Sequence, residues 1–193
     1  MKIETIHNII LQSCSYVLYE DGVNDCYLID CGEVEPIKRF LHANGKDLKG
    51  ILLTHSHYDH IYGINEILNL YPDVIIYASA GTIEGLSNVG INLSYMYDDG
   101  DYIVNRGNTI DVYSTTISLF NNTLNPISTP GHDSDCTTYI IGCNIFTGDA
   151  YNPNFDVFTK WRRSNPIEAQ KSIDRILQLV KLHNLTIYPG HYK

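Results

Sequence analysis

The chain has 193 residues, 44% hydrophobic and 18% charged, with 13 Lys and Arg against 22 Asp and Glu for a net charge of −9. That composition excludes a disordered polar chain and supports a single domain, residues 1–193, with a sizeable core. The acid excess excludes a phosphate-tracking surface, and no apolar run reaches the ~18 residues of a membrane span, so neither nucleic acid nor membrane is an expected partner.

Tyr16 to Tyr19 and Cys26 to Asp30 alternate apolar and polar residues around a turn at Glu20-Asp21-Gly22, which predicts a β-hairpin. Pro36 to Asn44 places Ile37, Phe40 and Leu41 at helical spacing, with Gly45 as a stop. Gly50 to Thr54 is a short strand apolar on both faces, running into His55. Ile61 to Leu70 predicts a second amphipathic helix, and Val74 to Tyr77 a strand. Residues 80–98 read as a short helix and a loop. From 101 to 147 the pattern is β: Tyr102 to Val104, Thr109 to Tyr113, Ile127 to Thr129, Thr138 to Ile141 and Asn144 to Phe146. Pro166 to His183 predicts a helix with Ile173, Ile176, Leu177 and Val180 inward, and Ile187-Tyr188 a last strand. Strand–helix alternation at both ends around a β-rich middle predicts an α/β fold, two sheets sandwiched between outer helices.

The N-terminal region carries Glu4, His7 and Asn8 where a signal peptide needs an unbroken apolar stretch, so a cytoplasmic protein is expected. The five cysteines are odd in number and contain no C-x-x-C pair, against a disulfide framework. Cys26, Cys31 and Cys143 lie in strand-like runs and read as small buried hydrophobes.

Thr54-His55-Ser56-His57-Tyr58-Asp59-His60 puts three imidazoles and a carboxylate in a loop that leaves a buried strand and enters a helix. Alternate residues of an extended segment point the same way, so His55 and His57 can share one ion, while Asp59 and His60 turn toward a second position. Imidazole and carboxylate suit Zn, Fe, Mn or Co. Thr129-Pro130-Gly131-His132, Phe146-Thr147-Gly148-Asp149 and Tyr188-Pro189-Gly190-His191 repeat one form: a β segment, a glycine, then a metal-ligand type. Five of the eight histidines fall in these four segments.

H-x-H-x-D-H followed in order by His, Asp and His resembles the metallo-β-lactamase superfamily, and most of all its glyoxalase II-like hydrolases. The resemblance runs from about Tyr16 to the C-terminus and implies a four-layer αββα sandwich. It implies that His55, His57 and His132 hold one divalent ion, that Asp59, His60 and His191 hold a second, and that Asp149 bridges both. A bridging hydroxide would then be the nucleophile, with Asp59 also orienting it. Zinc is the expected metal, with iron or manganese as alternatives. The implied reaction is hydrolysis of a small-molecule thioester or other carboxylic ester, such as a lactone. The alternatives are a mononuclear-iron sulfur dioxygenase of the same superfamily and a metal-bound binding protein without turnover. His57 stands where the family's di-iron oxygen reductases have an acidic residue, and Asp149 where many of its β-lactamases have Cys or Ser. Glyoxalase II proper carries a further helical C-terminal domain that helps bind glutathione; with two residues after His191, a single-domain relative is expected.

Lys160, Arg162 and Arg163 read either as an anion clamp for substrate or as a solvated loop with Trp161 packed on the core. Tyr58, Tyr151 and Tyr192 adjoin ligand positions and are candidate hydrogen-bond donors to substrate. Asp30 and Asp133 read as turn residues or as carboxylates that fix an imidazole tautomer. Residues 88–102 form either a substrate-facing loop or plain surface. Nothing in the sequence specifies an oligomeric state.

Overall fold

The computed structural model describes residues 1–97, 100–104 and 107–192. Six strands form the first sheet in sequential order: β1 (Lys2–His7), β2 (Cys14–Tyr19), β3 (Asp25–Ile29), β4 (Asp47–Leu52), β5 (Ile75–Ala78) and β6 (Asn108–Asp111). The first three are antiparallel and β3 to β6 run parallel. Helix α1 (Val34–Asn44) crosses between β3 and β4, and α2 (Ile64–Leu70) between β4 and β5. Two short helices, α3 (Ala80–Gly85) and α4 (Val89–Asn92), follow β5. The second sheet contains β7 (Ser118–Leu119), β8 (Asn122–Ser128), β9 (Thr137–Ile141), β10 (Asn144–Gly148) and β11 (Thr186–Pro189), with α5 (Pro166–His183) before β11.

Period-2 side-chain alternation builds the layers. In β2, Val17 packs toward α1 and α2, while Tyr16 and Leu18 face the second sheet; in the β4 segment Ile51 and Leu53 point to the helices and Leu52 to the sheet. In β10, Phe146 enters the inter-sheet core and Ile145 packs against Ile176 of α5. The result is the four-layer αββα sandwich expected from the sequence.

The structure corrects several local expectations. Tyr102 to Val104 forms no strand; the Tyr102 hydroxyl donates to the Ile61 carbonyl and accepts from the Asn65 amide. The helix expected from Ile61 starts at Ile64, because Tyr58–His60 form one 3-10 turn first. β1 was not read from the sequence: its burial is shallow and it lies at the sheet edge. Cys143 is exposed beside the β9–β10 turn, whereas Cys26 and Cys31 are fully buried, and all five cysteines are free. Residues 98–99, 105–106 and 193 lie outside the described residues, and part of the 88–102 reading falls there.

Five strand ends, those of β3, β4, β8, β10 and β11, deliver the segments that carry the histidines and aspartates. The sheets are tied near these ends by Thr137 N–H to the Thr54 carbonyl (2.8 Å), the Tyr139 hydroxyl to the Leu53 carbonyl (2.7 Å) and Cys14 N–H to the Gly190 carbonyl (2.7 Å). Gly131, at φ +145, lets the β8 end run against α5: an added Cβ would lie 2.3 Å from the Ala169 Cα. Gly131→Ala is therefore expected to destabilise the protein by about 2–4 kcal/mol, from strain and overpacking together. Urea unfolding checks this, and a loss below about 0.5 kcal/mol, the range of ordinary surface substitutions, would contradict it.

Candidate metal centre

β4 ends in a buried, extended run. His55 and His57 leave it on the same side, their ring centroids 4.5 Å apart. The 3-10 turn then rotates Asp59 and His60 toward a neighbouring position. His132 follows Gly131 at the β8 end, Asp149 follows Gly148 at the β10 end, and His191 follows Gly190 at the β11 end. Gly190 is needed for space, since a Cβ there would sit 2.2 Å from Asp149 Oδ1.

These side chains converge. Donor atoms of His55, His57 and His132 lie within 4.8 Å of one another, as do those of His55, His60 and Asp149, and those of Asp59, His60 and His191. His132 Nε2 is 2.9 Å from His57 Nδ1, and His60 Nε2 is 3.3 Å from His191 Nε2. Asp149 connects the groups: its oxygens lie 3.3 Å from His60 Nε2, 3.3 Å from His132 Nε2 and 3.2 Å from His191 Nε2. All seven side chains expected to ligate are thus brought together.

The nitrogens facing away from the centre are fixed by the protein. His60 Nδ1 meets Asp30 Oδ2 at 2.9 Å, His132 Nδ1 donates to the Phe158 carbonyl at 2.9 Å, and His191 Nδ1 donates to the Leu11 carbonyl at 2.9 Å. His55 Nδ1 sits 3.1 Å from the Thr54 hydroxyl. His57 is turned the other way, with Nε2 3.8 Å from Asp133 Oδ2 and Nδ1 inward. Asp133 is in turn gripped by Arg163, Nε to Oδ2 at 2.9 Å and Nη2 to Oδ1 at 3.2 Å. Such contacts set tautomers and aim the remaining lone pairs at a metal.

The donor set fits metal ions. Among the described residues, three buried atoms, His55 Nε2, Asp59 Oδ2 and Asp149 Oδ1, make no hydrogen bond. Buried polar groups are rarely left unpaired, and these three point into one cluster of imidazole and carboxylate donors suited to zinc, iron or manganese. Burial and the neighbouring His132 push the His57 pKa down to about 4, and burial with the surrounding imidazoles lowers that of His55 well below its ordinary value. Both are neutral, ready to ligate. At His60 burial opposes the charge, but Asp59, Asp149 and Asp30 outweigh it and raise the pKa well above 6.5. For Asp149 burial favours the neutral form, yet His191, His60 and His132 hold the carboxyl well below the usual range. The carboxylates thus raise the affinity of both His60 and His191 for positive charge, as a cation site requires.

The remaining candidates scatter. Tyr58 is buried and lines one of two cavities that open on the centre; Tyr151 lines a different, larger cavity beside α5. Tyr192 packs edge-on against His7, ring centroids 4.1 Å apart, and lines neither cavity. Lys160 and Arg162 are exposed and also outside both walls. Arg163 is no anion clamp: its guanidinium is held by Asp133, Ser134 and Asp135. Trp161 is not packed in the core; it stands at the mouth of the centre against Phe158.

Sequence reasoning did not find Leu11 or Phe155 at the site, whereas Leu93, Met96 and Tyr97, which line one of the two cavities, fall in the 88–102 segment read as either a substrate-facing loop or surface. Leu11 and Leu93 have φ of 49° and 61°, a left-handed conformation that costs an L residue about 1–2 kcal/mol. No local sequence signal marks a leucine in that conformation.

The chain matches the family model described as metallo-beta-lactamase superfamily over residues 10–191. It is 32% identical over 132 residues to the hydroxyacylglutathione hydrolase of Pectobacterium atrosepticum, covering 68% of this chain and 45% of that protein. The hydroxyacylglutathione hydrolase of Buchnera aphidicola subsp. Schizaphis graminum is 31% identical over 134 residues, 69% of this chain and 45% of the relative. The chain thus spans less than half the length of these curated relatives. Among solved structures, BLEG-1 B3 metallo-beta-lactamase superimposes with a TM-score of 0.87 at 20% identity, over 100% of this chain and 92% of that one. ETHE1 from Myxococcus xanthus gives 0.73 at 19% identity, over 100% and 76%.

Proposed function

The chain belongs to the metallo-beta-lactamase superfamily, and on that footing we propose that it is a metal-dependent hydrolase of a small thioester, ester or lactone. It would hold two divalent ions, zinc in the first place. One ion would lie on His55, His57 and His132 and the other on Asp59, His60 and His191, with Asp149 shared.

The observation that carries the reading is the set of convergent donors, three of whose buried atoms make no hydrogen bond among the described residues. Ions held there supply Lewis acidity toward a carbonyl and lower the pKa of bound water toward ~7. The protein's own groups do the rest. Asp30 and the carbonyls of Phe158 and Leu11 hold three imidazoles in one tautomer and orientation. Asp59 Oδ2, buried and making no hydrogen bond to the described residues, would accept a hydrogen bond from an attacking water. The hydroxyacylglutathione hydrolases among the relatives support thioester hydrolysis as the reaction class.

Metal analysis of protein expressed with zinc and iron both available tests this reading, together with hydrolysis assays on thioesters, esters and lactones. About two zinc per chain and turnover that a chelator abolishes are expected. A single iron with oxygen uptake, or a chain that retains no metal through gentle purification, would overturn it.

A further inference from the structure

Two cavities of about 350 and 340 Å³ open onto the metal centre, and both reach His132, Asp149 and His191. Leu11 and Trp161 belong to both walls and so stand between the two spaces. One cavity is completed by Tyr58, Leu93, Met96 and Tyr97; the other by Phe155, Val157 and Phe158, with Asp156. Among the described residues of either wall there is no lysine or arginine.

Resting on the hydrolase reading above, we propose that the substrate is apolar at both ends and carries no acidic group on its leaving half. Its carbonyl would sit at the centre with one substituent in each cavity. In the reaction water supplies a hydroxyl to the carbonyl carbon, the carbon–sulfur or carbon–oxygen bond breaks, and the departing thiol or alcohol takes up the remaining proton.

Three observations support this. Leu11, Met96, Phe155 and Phe158 are 59%, 52%, 42% and 46% exposed, yet all four gather at this one mouth. Clustered exposed apolar side chains mark a ligand groove, whereas scattered ones carry no meaning. The backbone at Leu11 and Leu93 is held in left-handed conformations that leucine disfavours, and the Leu11 carbonyl is pinned by His191. The wall is therefore built against local preference, as functional surfaces are. Lastly, among the described residues the single carboxylate in the two walls beyond the ligand cluster is Asp156, and the chain's net charge is −9. A glutathione thioester brings two carboxylates on its leaving half. Among the described residues the cations near the site do not meet them, because Arg163 is bound by Asp133 and Asp135 and neither Lys160 nor Arg162 lines a wall.

Trp161 is the chain's only tryptophan and stands in both walls, so its fluorescence reports a ligand in either. Zinc-loaded protein would be titrated with two non-hydrolysable thioethers of one alkyl group: uncharged S-hexyl-N-acetylcysteamine and anionic S-hexylglutathione. The uncharged ligand is expected to bind about ten-fold more tightly. Asp156→Lys, at an exposed position, should narrow that ratio by about two- to five-fold. Equal or tighter binding of S-hexylglutathione, or no fluorescence response to either, would overturn the inference. Because binding is read without turnover, the two readings fail separately. A preference for the uncharged thioether with no hydrolysis of matching thioesters sinks only the catalytic reading. Hydrolysis with a glutathione preference sinks only this one.

Discussion

Asp149→Ala is expected to abolish tight metal binding and to lower any hydrolytic turnover by at least about 10³-fold, the scale of losing a metal-derived nucleophile. Its carboxylate lies within 3.3 Å of nitrogens from His60, His132 and His191 and 4.0 Å from His55, which places it between the two groups. Removing it deletes a donor and a negative charge from a cluster otherwise dominated by five imidazoles. Asp149→Asn keeps the shape without the charge and should recover little. A stability readout separates metal loss from simple misfolding. A ligand present at about 1,000 times its Kd stabilises the folded state by about 4 kcal/mol. At about 2–4 °C per kcal/mol for a domain of this size, a chelator should lower the wild-type Tm by roughly 10 °C. The same chelator should leave the Tm of Asp149→Ala unchanged. A variant that still carries two ions per chain would refute the bridging role. Acid should act in the same direction as the chelator. Ligation requires neutral imidazole, and the carboxylates raise the pKa of His60 and His191, so metal affinity should fall as pH is lowered.

The convergent donor set was legible because its residues all lie in short segments that leave strand ends in sequence. A strand, a glycine and a donor residue form a pattern that needs no knowledge of distant contacts. The α1 and α5 helices were legible for a similar reason: their apolar spacing and caps are local, with Gly45 ending α1 and Asn165 capping α5. What escaped depends on tertiary context. β1 alternates only weakly, and its strand state follows from pairing with β2 in register from Lys2–Tyr19 to His7–Cys14. Tyr102 sits in an apolar triplet that favours a strand, but its hydroxyl is occupied by the backbone around Ile61 and Asn65. Arg163 resembles a free cation in sequence because the two aspartates that hold it lie 28 and 30 residues away. Leu11 reached the site through a left-handed turn that its side chain does not encode.

Among the contacts behind the proposed ligands, Asp30 is where the effect on stability should be largest. Asp30 is 1% exposed, yet its carboxylate is fully used. Oδ1 accepts from the Thr54 amide at 2.8 Å; Oδ2 accepts from the Thr54 hydroxyl at 2.8 Å and meets His60 Nδ1 at 2.9 Å. It therefore joins the end of β3 to the end of β4 and sets the ring that links the two halves of the centre. Its φ of 54° is also one that Asp and Asn tolerate and alanine does not. Asp30→Ala leaves the Thr54 amide and His60 unpaired inside the protein and adds backbone strain. The expected loss is about 3–5 kcal/mol, a large share of a typical domain's stability. Asp30→Asn separates the two roles. Its carbonyl can still accept from the Thr54 amide and its backbone is content, so the stability loss should be about 1–2 kcal/mol. Its amide cannot accept from His60, so the imidazole loses its orientation and metal affinity should fall about 10–100-fold. Urea unfolding of the metal-free variants measures the first effect, and competition with a chromophoric chelator the second. If Asp30→Asn bound metal as tightly as the parent chain, the role assigned to Asp30 in aiming His60 would be wrong. The bond to Thr54 would then account for all of its contribution.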